Sequence, residues 1–400
     1  MTAHKHFKSR VRERMQKTGE SYSAARMHLA ARRDSGLRDA GTPGLAPGYP
    51  ALTPLTQYNA GLWQRVLTQA GTTHPASSQP LSEAFLAGLA GGIGFMVYTF
   101  EYQRVTTATV VTRFHPGPFV DNLLDRSGAH IDRRTTSSEK VSRATLDDAV
   151  EQGRAVMVRV TRGALPWFSD ASEFSDSVDV VVAGKDGDHY LIDDGAASFR
   201  RITPAALAAA RRRRTADKHW QASIADPGEL TSDTLATAVR EAVGQTAGVL
   251  LGRGGLHGIP AHATRNFGAA GMRTWAERLQ DTRTKKGWPA MFASEDRLRP
   301  ALRQVKHFLA GNEWAGPGGL RPLYAQFLLE AAELGGLERL RDAVAGYNSL
   351  GTAWTGFANL IDPGCPVDSR IDHFAALAEQ LERLAQAEET AAESLQAALG

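Results

Sequence analysis

The 400-residue chain contains one cysteine, Cys365, so no disulfide framework can form and a reducing, cytoplasmic setting is the expectation. It has no run of 18 apolar residues, which leaves no helical membrane span to predict. The basic N-terminus is not followed by an apolar stretch, so no secretory leader is expected. A Walker-type glycine loop, a dinucleotide fingerprint and a Gly-x-Ser-x-Gly elbow are also missing, which ranks nucleotide, hydride and serine-hydrolase chemistry low. His257 and His262 flank Gly258 and Pro260 at a spacing poor for one helix face, with no third ligand nearby. Neither a metal nor another cofactor is expected.

Hydrophobic residues make up 42% of the chain and charged residues 22%, the balance of a soluble globular protein, and the length suggests more than one unit at roughly 150 residues each. The net charge of +3 hides an asymmetry: residues 1–40 carry ten Lys or Arg against four Asp or Glu, so the rest is net acidic. Within 1–33, Phe7, Val11 and Met15 and then Tyr22, Ala25 and Leu29 mark two short amphipathic helices separated by Gly19, read as a solvated arm. This arm resembles a short segment found in actinobacterial proteins of quite different kinds. Residues 34–54 hold Gly36, Gly41, Pro43, Gly44, Pro47, Gly48, Pro50 and Pro54, a density that defeats helix and ladder alike and predicts a linker.

From about 55 to 225 the chain mixes both periods, predicting an α+β domain with a sheet flanked by helices. Tyr58, Leu62, Val66 and Leu67 share one helix face, and Leu81 to Leu89 forms a second helix with Ser82 as N-cap. The glycines that follow, Gly91, Gly92 and Gly94, permit close backbone approach to a ligand. Strands are predicted at 106–112, 155–160 and 178–183. The last leads through an Asp186-Gly187 turn into His189–Asp194 as an antiparallel hairpin. Pro204 opens a helix ending in Arg211 to Arg214; these cations suit a helix C-terminus facing water, and without interleaved aromatics they do not predict nucleic-acid binding.

From 228 to 400 the periodicity is helical throughout, with apolar faces such as Leu235/Val239/Val243 and Leu298/Leu302/Val305/Leu309. The last segment, from Ile371 to Leu399, can pack on its own domain or pair with a second copy of the chain.

These features carry a resemblance over about 52–365. The order Gly61-Leu62, Leu81-Ser82-Glu83, Gly91-Gly92-Ile93-Gly94-Phe95, Val178 to Gly184 and Leu191 to Asp194 resembles the N-terminal domain of butirosin biosynthesis protein H. Asn266-Phe267-Gly268, Trp275-Ala276, Gly318-Gly319-Leu320-Arg321, Tyr324 to Ala332 and Trp354 resemble the helical domain of unknown function that accompanies it. The resemblance implies a papain-like fold that moves an acyl group from a carrier-protein thioester to an amine in antibiotic-type secondary metabolism. That chemistry uses a thiolate, an imidazole and an orienting carboxylate or amide. The resemblance implies Gln57, or a neighbour, at the cysteine position, Asp179 at the histidine, and Asp193 or Asp194 at the orienting acid.

Glutamine cannot form a thioester and a carboxylate cannot serve as imidazolium. Cys365, in a turn of the second domain, is not expected to replace the thiol. Two expectations follow. In one, Asp179 is a general base, with Tyr58, Gln57, Glu83 and Asp193 completing the catalytic set and Asn59, Gly91, Gly92 and Gly94 contacting an amine-bearing small molecule. In the other, the chain is an inactive homologue that binds a small molecule or stabilises a partner, such as an acyl carrier protein, in a biosynthetic complex.

Overall fold

The computed structural model describes residues 42–101, 106–114, 116–168, 177–213, 217–253, 259–310 and 316–400. The basic arm, the start of the linker, Arg214 and His257 lie outside the described residues. The chain forms two compact units. One comprises the described part of Met1–Pro54 with Arg134–Gln221; the other comprises Leu55–Arg133 with Ala222–Gly400. The first is a sheet unit whose second segment interrupts the sequence of the other, largely helical one.

In the helical unit, α1 (Tyr58–Ala70) begins where the Gln57 side chain accepts from Ala60 N–H and ends at Gly71, whose φ of 90° closes the last turn. Leu62, Val66 and Leu67 are buried, as their spacing predicts. The next helix, α2 (Glu83–Leu89), is capped by Ser82, which accepts from Phe85 N–H. There follow the antiparallel strands β1 (Ile93–Glu101) and β2 (Thr106–Arg113), then α3 (Pro116–Arg126) and β3 (His130–Arg134). β2 was predicted; β1 was hidden by its glycine-rich start, although Phe95 and Val97 alternate with Met96, Tyr98 and Phe100.

The sheet unit holds α4 (Glu139–Glu151), β4 (Val156–Thr161), β5 (Ser177–Asp186), β6 (His189–Asp193), β7 (Arg200–Ile202) and α5 (Pro204–Arg212). β4 to β7 run antiparallel in sequence order. The predicted hairpin forms, with Asp186 opposite His189 and Gly187 at φ 61°. Val156, Val158, Val160, Val180, Val182 and Ile192 line one sheet face, and Leu146, Ala149, Leu207 and Ala210 of the two helices cover it. Residues 42–54 do not hang free: Ala46 N–H donates to Ala183 O, and Lys185 N–H to Gly44 O. Arg211 corrects the reading of the arginine run. It is 2% exposed and donates to the carbonyl of His219 and to Gln221 Oε1, while burial lowers its pKa to about 10.

After β8 (Gln221–Asp226) the described residues contain only helices: α6 (Ser232–Leu250), α7 (Gly268–Gln280), α8 (Trp288–Met291), α9 (Glu295–Ala310), α10 (Arg321–Ala331), α11 (Val344–Leu360) and α12 (Arg370–Leu399), with short 3-10 turns between them. None of the described helices is long and apolar enough to cross a membrane. The core of the helical unit joins Phe95, Val97, Ala108 and Val110 of the ribbon to Trp275, Trp288, Trp354 and the apolar face of α12. Phe95 stacks on Trp275 at 6.3 Å and on Trp354 at 5.9 Å. Truncating any of these rings costs about 3–5 kcal/mol. Before α10, Gly318, Gly319 and Leu320 all have φ near +60°. This left-handed turn aims Arg321 into the core, where it bonds to the carbonyls of Thr112, Gly319 and Gly94.

Candidate functional site

In the helical unit the structure brings Gln57 and Glu83 together. The N–H groups of Thr56 and Gln57 donate to Glu83 Oε1 at 2.7 and 2.5 Å, tying the entry of α1 to the first residue of α2. Burial raises the Glu83 pKa against these bonds and the charge of Arg65, which favour the carboxylate. Gln57 is 5% exposed and its Oε1 accepts from Ala60 N–H at 2.6 Å. It is therefore a helix cap, a duty that explains its amide side chain without chemistry. Tyr58 and Asn59, both partly buried, form the first turn of α1.

The glycines do permit a close approach, but to protein. A Cβ on Gly91 would lie 2.8 Å from the Phe114 ring, on Gly92 2.4 Å from Tyr324, and on Gly94 2.9 Å from the Arg113 carbonyl. Gly91 and Gly92 also have φ of 117° and 65°. These residues turn the chain from α2 into β1 and admit aromatic packing.

In the sheet unit, register sets the relation between Asp179 and Asp193. Arg159 lies opposite Asp179, and Val181 opposite Asp193, so both carboxylates stand on the face away from the valine core as diagonal neighbours. Arg159 Nε and Nη2 donate to Asp179 Oδ1 and Oδ2 at 2.7 and 3.1 Å, and Nη1 to Asp217 Oδ2 at 2.7 Å. The guanidinium also sits 4.5 Å from the Trp220 ring centre. Burial acts to lower the Arg159 pKa, but the hydrogen bonds and charges of Asp179 and Asp217 outweigh it and hold the value above the ordinary one. Asp193, with no exposed surface, accepts from the Tyr49 hydroxyl at 2.7 Å and from Gly195 N–H at 2.9 Å. The neighbouring Asp194 accepts from Ala196 N–H at 3.1 Å. Both aspartates thus shape the turn after β6.

Cys365 lies in the turn between α11 and α12, and its thiol donates to Pro366 O at 3.4 Å. Burial, with the charge of Asp362, raises its pKa, the opposite of an activated nucleophile.

Residues 58–195 match the family described as butirosin biosynthesis protein H, N-terminal, and residues 205–395 match a domain of unknown function, DUF4872. The chain carries a butirosin biosynthesis protein H N-terminal domain followed by DUF4872. No curated protein matches it. The family makes this a biosynthesis-related protein. Within its butirosin biosynthesis protein H domain, sequence reasoning overlooked Arg159. The signal was a lone cation inside the apolar run Val156-Met157-Val158-Arg159-Val160, which needs a counter-ion wherever that strand is buried. Asp217, Trp220 and Tyr49 carry no comparable signal, because loops bring them to the sheet.

Proposed function

We propose that this protein serves a biosynthetic complex as a catalytically inactive, small-molecule-binding relative of carrier-dependent amide-forming acyltransferases. The observation that carries the reading is the pairing of both Asp179 oxygens with Arg159. A general base must offer a lone pair within hydrogen-bonding reach of the proton it removes, and at Asp179 the guanidinium takes that direction. Gln57 caps α1 and Asp193 anchors a turn, so the residues aligned with nucleophile, base and orienting acid all hold structural posts.

A second reading has one observation in its favour. Glu83 is a carboxyl whose pKa burial raises, the direction that suits a base near neutral pH. Here the chain would join an amine to an activated acyl group by direct attack, with Glu83 taking the amine proton and the carrier thiol leaving.

The test presents the full chain with an acyl-charged carrier protein and amino sugars as acceptors, followed by intact-mass and product analysis. The first reading expects no mass gain on the chain and no amide. Amide formed without an adduct, and lost in Glu83→Gln, would replace it with the second. An acyl adduct on the chain would overturn both.

A further inference from the structure

Residues 44–49 cross the end of β5 as a strap. Leu45 bridges to Gly184 in antiparallel sense, flanked by the bonds from Ala46 N–H to Ala183 O and from Lys185 N–H to Gly44 O, each at 2.8 Å. A Cβ on Gly44, at φ 80°, would lie 1.8 Å from the Lys185 carbonyl oxygen, so this approach needs glycine. Pro47 rests against Gly153, just past α4. The Tyr49 hydroxyl then donates to Asp193 Oδ2 at 2.7 Å, and its ring meets that of Phe199 at 5.9 Å.

Strand register fixes where the strap runs. The pairing of β4 with β5 starts at Val156 opposite Val182, and Leu45 takes a place farther along that edge. Asp193 is on β6, opposite Val181, so between Leu45 and the tip of Tyr49 the strap spans β5 on the face away from the valine core. No strap residue belongs to that core, and the strap lies outside both matched stretches, 58–195 and 205–395. Lifting it would uncover Asp193, which has no exposed surface, and leave the core closed. Short irregular segments held by few bonds open at a lower free energy than the sheet beneath them. The phenol is a donor that lets this carboxylate stay buried, and a donor from outside can take its place.

We propose that Gly44–Tyr49 is an autoinhibitory strap that opens while the sheet stays folded. Closed, it fills a donor position on Asp193 with its own phenol; open, it yields that position to water or to a solute bearing an N–H or O–H group. This does not depend on whether the chain transfers acyl groups.

The test combines residue-resolved hydrogen exchange of the full chain with carboxyl labelling by a carbodiimide and glycine ethyl ester. The amides of Ala46 and Lys185 are expected to exchange about a hundredfold or more faster than those of Val181 and Ile192. Asp193 is expected to label slowly beside Asp188, whose side chain is 89% exposed. Gly44→Ala, which cannot close, should strip protection from Ala46 and label Asp193 rapidly while Val181 stays protected. Tyr49→Phe keeps the ring and should raise Asp193 labelling about tenfold; it decides the matter if Gly44→Ala misfolds. Exchange of Ala46 and Lys185 at the rate of Val181 would overturn the proposal by making the strap an integral strand. Labelling of Asp193 that neither variant changes would overturn it by showing that the strap does not guard this carboxylate.

Discussion

Arg321 and Glu388 form an ion pair in which neither side chain has any exposed surface, with Nε and Oε1 2.7 Å apart. Trp354 Nε1 donates to the same oxygen at 2.6 Å. Removing one partner strands the other charge in the core, so Glu388→Ala is expected to cost about 3–5 kcal/mol in urea unfolding. The double variant Arg321→Met/Glu388→Leu is expected to lose less than either single one. A larger loss in the double variant would show that the pair, together with the Arg321 bonds to three carbonyls, contributes more than it costs to bury.

The sheet-unit carboxylates have a different logic. Asp179→Ala leaves Arg159 with Asp217 and is expected to cost about 1.5–3 kcal/mol. Arg159→Ala strips two carboxylates of their donor at once and should cost more. Unfolding measurements on the two variants check the order, and equal losses would place the network's weight on Asp179 alone.

Gly92→Ala places a methyl group 2.4 Å from a Tyr324 ring carbon at φ 65°. Left-handed strain and overpacking together are expected to cost about 2–5 kcal/mol. Trimming the ring with Tyr324→Leu should recover part of the loss. If it does not, backbone strain dominates.

Burial raises the Glu83 pKa, so folding shifts this carboxyl toward its protonated form relative to the unfolded chain. Its contribution is fully present below the unfolded value near 4.5 and is lost as pH rises through the raised folded value. Glu83→Gln, neutral throughout, should therefore gain in melting temperature relative to the parent between pH 4 and 7. A constant difference across that range would show that folding leaves the Glu83 pKa unchanged.

Much of the fold was legible in local pattern. Period-two valines marked β4 and β5, the Asp-Gly step marked their hairpin partner β6, and Ser82 and Pro204 marked helix starts, because each signal acts within a few residues. β1 escaped because Gly92 and Gly94 interrupt the pattern where it begins. The family motifs were legible as well, but the duties of their residues were not. Gln57 reads equally as a lost nucleophile or a cap until Ala60 N–H is seen beside it.

Sequence alone determined the mixed α+β class, the helical second half and the family, since these depend on residue type and short-range spacing. Tertiary structure alone decided that Arg159 holds Asp179, that Tyr49 holds Asp193, and that the glycine cluster admits Phe114 and Tyr324. Such pairings join positions tens to more than two hundred residues apart. They are set by strand register and core packing, which no local pattern encodes.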